Sequence, residues 1–281
     1  MRYGDLLQEQ KNKKRGKNML NKKKLFLFDI DGTIAVDNTI YDGTFELIEY
    51  INSIGGKAVY ITNNSTKSRQ DYIEKFKKWN IETDETNFIT ASFAACKYLK
   101  ENHADDKIFV CGTKSFVKEL RDYGLNVTEE NDDDIKCVIV GFDNEFTYQK
   151  GALTCEILLT KNVTYLATNP DLCCPTAFGS IPDCGAICAL LECAVKKQPY
   201  YVGKPNREIV DVCREMTGFS IDETIVVGDR LYTDIACGIN AGVETAVVFT
   251  GEAKKEDLTD TEFRPTYQFE NIREFLNAVK K

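Results

Sequence analysis

One histidine in 281 residues, His103, removes most of the familiar hydrolase machinery at a stroke. A Ser-His-Asp or Cys-His site, or a histidine-rich metal centre, has nothing else to draw on, and His103 itself sits in the polar stretch Glu101-Asn102-His103-Ala104-Asp105, read as a helix end or loop at the surface. The eleven cysteines contain no CxxC pair and are odd in number. A disulfide framework or zinc ribbon is therefore excluded in favour of reduced thiols used as small core residues, which points to the cytosol. No apolar stretch approaches the roughly 18 residues needed to cross a bilayer. Six prolines mark no long linker, and no internal repeat is evident.

Net positive charge is confined to the first 24 residues, which hold nine Lys or Arg against Asp5 and Glu9, a net of +7. With the whole chain at −8, residues 25–281 carry −15, an acidic body that repels nucleic acid. Residues 1–23 read as a basic, disordered tail, with Met19 an alternative start just ahead of the first apolar run. That run, Leu25-Phe26-Leu27-Phe28, is too short for a signal peptide, and Asp29 follows at once.

What the chain does have is Asp29-Ile30-Asp31-Gly32-Thr33 directly after that run. Two carboxylates two residues apart on an extended segment point the same way, and the glycine then turns the chain. Such a pair can hold a divalent cation and divide labour between attack and proton transfer, or it can be a solvated turn. A calcium loop fails on spacing, since Gly32 is fourth where the sixth position is needed and Ile40 stands at the twelfth.

Three more polar clusters follow short apolar runs. Ala58–Ile61 leads into Thr62-Asn63-Asn64-Ser65, Tyr200–Val202 into Gly203-Lys204-Pro205-Asn206, and Ile225–Val227 into Gly228-Asp229-Arg230. Runs of β-branched and aromatic residues alternating with helical patterns predict an α/β protein with a Rossmann-like parallel sheet, helices on both faces. The four clusters would then lie along one rim, where open α/β sheets bind ligands.

These residues resemble the haloacid dehalogenase-like hydrolases, with Asp29 to Thr33 as the nucleophile loop, Thr62, Lys204, and Gly228-Asp229 with Asp234 in family order. Thr62–Ser65, Ala167-Thr168-Asn169-Pro170-Asp171 and Gly203–Pro205 look further like the NagD and para-nitrophenylphosphatase subfamily. The resemblance runs from about Lys24 to the end of the chain. It implies hydrolysis of a small phosphate monoester with Mg²⁺.

The residue types suit that chemistry. A carboxylate attacking phosphorus splits one hard displacement into two, and Asp29 is the candidate nucleophile. Asp31 is the candidate acid, then base. Because the transferring group is anionic, Mg²⁺ and Lys204 would supply the positive charge. By resemblance Asp29 and Asp229 ligate the metal with Asp31 adding its backbone carbonyl, while Asp234 orients a bound water or the lysine. The plainer alternative makes Asp234 an acidic residue in a first helical turn capped by Thr233. Thr62 and the amides of Asn63 and Asn64 would hold phosphate oxygens, or form a simple polar turn.

Caps and faces mark helices after Ser68, with Tyr72, Ile73, Phe76 and Trp79 on one side, and after Asn206, with Ile209, Val212, Cys213 and Met216 inward and Gly218 closing. Others run from Thr233 to Gly242 and Ile272 to Val279. The core is expected over 24–88 and 199–281, and residues 89–198, with strands and helices of their own, as an inserted α/β domain. The resemblance makes this a cap over the site, which would exclude water, read the leaving group and support a homodimer. Asn169, Asp171 and Asp183 are candidate specificity contacts, each also explicable as a turn residue. Sugar phosphates, phosphoglycolate, nucleoside monophosphates and pyridoxal phosphate would all fit. Phosphomutase transfer through the same intermediate, a non-catalytic phospholigand-binding role, and dehalogenation are the other readings.

Overall fold

Four buried residues, Leu25 to Phe28, form the first strand because their alternating side chains both have a hydrophobic layer to enter. A computed structural model describes residues 20–65, 67–176 and 178–281. In chain order its elements begin with β1 (Leu25–Phe28), β2 (Ala35–Val36), β3 (Thr39–Ile40), α1 (Thr44–Ser53), β4 (Lys57–Thr62) and α2 (Arg69–Lys78). There follow β5 (Phe88–Thr90), α3 (Ala91–Asn102), β6 (Lys107–Cys111), α4 (Lys114–Asp122), β7 (Val127–Thr128), β8 (Ile135–Val140) and α5 (Tyr148–Thr160). Next come β9 (Thr164–Ala167), the hairpin β10 (Cys173–Thr176) and β11 (Gly179–Pro182), α6 (Cys184–Val195) and β12 (Tyr200–Tyr201). The chain ends with α7 (Glu208–Thr217), β13 (Thr224–Gly228), α8 (Ala236–Ala241), β14 (Glu244–Val248), β15 (Tyr267–Phe269) and α9 (Ile272–Val279).

The chain divides into two units, 1–60 with 210–281, and 61–209. In the first, β15, β14, β13, β1 and β4 are neighbours in that order, and each pair is parallel. Phe28 lies opposite both Val227 and Tyr60, so the residues that follow these strands leave one edge of the sheet. Helix α9 covers one face with Phe275, whose ring stands edge-on to Phe26, Phe28 and Phe269 at 6.2, 6.3 and 5.3 Å.

The second unit has its own parallel sheet in the order β12-β9-β8-β6-β7. Alternate residues feed two cores, as the two-residue period of a strand requires. Ile108, Val110, Cys137 and Ile139 pack with Ala95 and Leu99 of α3 and Phe116 and Leu120 of α4. Phe109, Cys111, Val138 and Val140 pack with Ile157 and Leu158 of α5 and Ile187 and Leu191 of α6. Five cysteines, 96, 111, 137, 184 and 188, fill these cores, and no disulfide joins any of the eleven among the described residues. The expected inserted segment 89–198 lies within this unit.

The α/β fold class matches the expectation, and α9 has the bounds read from sequence. Other details differ. Of the basic extension, residues 1–19 lie outside the described residues, whereas Leu20 is buried and the Lys23 ammonium bridges Glu244 at 2.9 Å and donates to the Asp222 carbonyl at 2.8 Å. Met216 is not inward but 42% exposed. Asn206 does not stand next to α7, which starts at Glu208; its amide donates to the Tyr201 carbonyl. His103 is partly covered, with Nδ1 2.7 Å from Asp106 at the end of α3. No helix among the described residues is long and apolar enough to cross a membrane.

Phe275→Ala removes the ring at the centre of the first unit's aromatic cluster and is expected to cost about 3–5 kcal/mol in urea unfolding. Ser68→Ala removes a capping box in which the Ser68 hydroxyl accepts from the Asp71 amide and Asp71 accepts from the Ser68 amide. It is expected to cost about 1 kcal/mol by the same measurement.

Candidate active site

Because β1 and β13 run side by side, Asp29 and Asp229 leave the sheet at the same edge. The Asp29 amide extends the ladder by donating to the Val227 carbonyl at 2.9 Å. Asp234 joins them by a different route. Residues Leu231–Ile235 form one turn of π-helix rather than the start of a regular helix, and the Asp234 side chain folds back to accept from the Arg230 amide at 3.0 Å. Such wide turns recur at functional sites because they reposition a side chain without ending the helix. The carboxylates of Asp29, Asp229 and Asp234 offer oxygens that all lie within 4.8 Å of one another.

Asp229 and Asp234 are buried, at 3% and 1% exposure. Two like charges about 4 Å apart repel by about 4 kcal/mol at an effective dielectric near 20, so the cluster needs compensation. Part of it comes from neutral donors. Asp229 accepts from the Thr33 hydroxyl at 3.2 Å and from the Glu252 amide at 2.8 Å. Asp31 is half-buried and its backbone bridges to Ala35 as the loop turns through Gly32, at φ 94°. The turn brings Gly32 so close to Asp229 that a Cβ there would stand 2.6 Å from its Oδ2, and one on Gly251 would stand 1.9 Å away.

Sequence reading missed this outer ring. Thr250 donates its hydroxyl to the Gly32 carbonyl at 2.6 Å and accepts on its own carbonyl from Tyr41 at 3.2 Å. Burial, reinforced by the charges of Asp229, Asp31 and Asp37, pushes the Tyr41 phenol up, so it keeps the proton it donates. The missed signal was the same one used elsewhere: Ala246–Phe249 is an apolar run followed by the polar turn Thr250-Gly251-Glu252.

The remaining candidates lie in the second unit. Thr62 ends β4 and its hydroxyl accepts from the Asn64 amide at 3.2 Å. Lys204 is 2% exposed, with its ammonium on the Ile61 carbonyl at 3.1 Å. The Asn63 side chain grips the Lys204 backbone from both sides, accepting its N–H at 2.9 Å and donating to its carbonyl at 3.0 Å. The second Asn63 amide proton goes to Asp171 at 2.7 Å. Asn169, Asp171 and Asp183, expected as specificity contacts, are 0%, 1% and 5% exposed. Asn169 donates to both acids at 3.0 Å and accepts from Thr168 at 2.8 Å.

The family model described as haloacid dehalogenase-like hydrolase matches residues 26–126, and a second, HAD-hydrolase-like, matches 201–275. An acid sugar phosphatase of Staphylococcus epidermidis is 32% identical over 257 residues, 91% of this chain and 98% of that one. The chain belongs to the haloacid dehalogenase-like hydrolases. Among solved structures, a 4-nitrophenylphosphatase from Thermotoga maritima aligns with a TM-score of 0.87 at 35% identity, covering 93% of this chain and 99% of its own. NagD from Escherichia coli K-12 aligns at 0.81 with 29% identity, covering 90% and 98%. The protein is thus an enzyme of the NagD and nitrophenylphosphatase branch of these hydrolases, the phosphatase type that its motifs resemble.

Gly251→Ala tests the crowding at Asp229. The added methyl must push the carboxylate aside, and a displacement near 1 Å costs on the order of 100-fold in rate. Turnover of para-nitrophenyl phosphate is expected to fall by about that factor, with an unchanged circular dichroism spectrum.

Proposed function

We propose that this enzyme hydrolyses small-molecule phosphate monoesters through an aspartyl-phosphate on Asp29, with Mg²⁺ as cofactor. The observation that carries the reading is the crowding of Asp29, Asp229 and Asp234 within 4.8 Å. Their donors are hard oxygens, which suits Mg²⁺ and not a thiophilic metal. Asp29 and Asp229 would hold the ion with the Asp31 carbonyl, and Asp234 either completes this set or orients a bound water. When bound, the ion neutralises phosphoryl charge and offsets the repulsion among the carboxylates.

The chain's own residues do the rest. Asp29 attacks phosphorus, the ester bond breaks, and Asp31 gives its proton to the departing alkoxide. Asp31, now ionised, takes a proton from water as that water attacks the phosphoaspartate. Orthophosphate leaves and Asp29 is regenerated. Lys204 offsets charge on the transferring group, and the Thr62 hydroxyl, oriented by the Asn64 amide, donates to it.

The relatives named acid sugar phosphatase and 4-nitrophenylphosphatase support a small ester, sugar phosphates foremost. In the same reading residues 89–198 act as a cap that reads the leaving group and pairs two copies of the chain, and the protein works in the cytosol.

Asp29→Asn is expected to lower kcat for para-nitrophenyl phosphate by about 10⁴-fold or more, the scale of losing a nucleophile. EDTA should abolish wild-type activity and Mg²⁺ restore it. Appreciable turnover by the variant would rule out the covalent route. Release of one orthophosphate per ester consumed, measured directly, separates hydrolysis from transfer to a second hydroxyl.

A further inference from the structure

The Asn63 side chain commits both donors and its oxygen to partners inside the second unit. Both amide protons have acceptors, Asp171 and the Lys204 carbonyl, and the oxygen accepts the Lys204 N–H. The side chain thereby pairs with the Lys204 backbone as a neighbouring strand would. An amide can sit either way round, and its two orientations differ only in what they face. A carboxylate accepts and never donates, so Asp171 permits one orientation alone. Flipped, Asn63 would set its oxygen against the Asp171 carboxylate and the Lys204 carbonyl.

Asp171 is fixed in turn. The same Oδ2 that takes the Asn63 proton takes one from Asn169, whose other proton goes to Asp183. Asp183 caps α6 by accepting from the Cys184 amide. The chain of bonds thus runs from a helix N-terminus through two acids and two amides to the backbone of a buried lysine, with every side chain in it 7% exposed or less. Desolvating two carboxylates is costly, and plain turn residues would not need them.

We infer that Asp171 is a positioning residue for Lys204: through its lock on the Asn63 amide, and supported by Asn169 and Asp183, it fixes the backbone from which the lysine reaches its anion. Its side chain is then committed to this network and reads no leaving group. The inference rests on the proposed role of Lys204 toward the phosphoryl group.

The test is a double-mutant cycle of Asp171→Asn and Lys204→Gln in the full chain, read as kcat/KM for para-nitrophenyl phosphate and as Ki for orthophosphate. Asp171→Asn removes the charge that, together with the Lys204 backbone, holds the amide in its one orientation. It is expected to weaken orthophosphate inhibition and lower kcat/KM by about 10- to 100-fold, and to add less than twofold when Lys204 is already Gln. A full additional loss in the Lys204→Gln background would mean Asp171 acts elsewhere and overturns the inference, as would an unchanged Ki in the single variant. Lys204→Gln with wild-type kinetics would instead sink the proposed role of the lysine.

A second variant guards against loss of fold in the first. Asn63→Ala removes the grip on the Lys204 backbone while leaving both acids and the Asn63 backbone amide in place, and is expected to weaken orthophosphate inhibition to a similar extent with an unchanged circular dichroism spectrum. An unchanged Ki in that folded variant overturns the inference.

Discussion

Three carboxylates held within 4.8 Å are the constraint around which the first unit is arranged. Parallel strands impose it: once β1 and β13 pair with Phe28 opposite Val227, Asp29 and Asp229 must leave the same edge. Their repulsion, a few kcal/mol per pair in a partly buried setting, makes the surrounding features intelligible. The Thr33 hydroxyl and the Glu252 and Arg230 amides are aimed at these acids, and glycines at 32 and 251 let the backbone come close enough to do so. In the proposed function, that repulsion is what a bound cation would offset.

The second unit meets the same electrostatic problem with different means. Asp171 and Asp183 are as buried as Asp229, but amide protons from Asn63 and Asn169 satisfy them. Those bonds are directional, so the compensation that makes the acids tolerable also fixes which way each amide points. Charge in the first unit invites a ligand, whereas charge in the second is consumed in holding a loop.

Much of the fold was legible because its signals are local. Most strands of both sheets, β7 and β15 excepted, follow from short β-branched and aromatic runs, α2 from the capping box at Ser68, and α9 from a strongly one-sided apolar face. The elements that escaped lack such signals. Helix α1 begins after Gly43 with no side-chain cap, and α3 buries every residue from Ala91 to Cys96, so its first half has no exposed face to reveal its period. The hairpins β2–β3 and β10–β11 are too short to show alternation. Met216 has helical spacing yet faces solvent, because spacing defines a face and only packing decides where that face ends.

The chemistry was legible for a similar reason. Residue types at strand ends, together with a single histidine, already restricted the proposed mechanism to carboxylates, a lysine and an oxygen-ligated metal. By itself the sequence determined the strand and helix alternation, the edge at which polar loops collect and the class of reaction, since each depends on side-chain periodicity and functional groups within a few residues. The tertiary structure alone decided that Asp234 folds back through a π-turn beside Asp229, and that Asn169, Asp171 and Asp183 are enclosed and bonded to one another. Asn63 and Lys204 are 141 residues apart in the chain, and only a folded register can choose such hydrogen-bond partners.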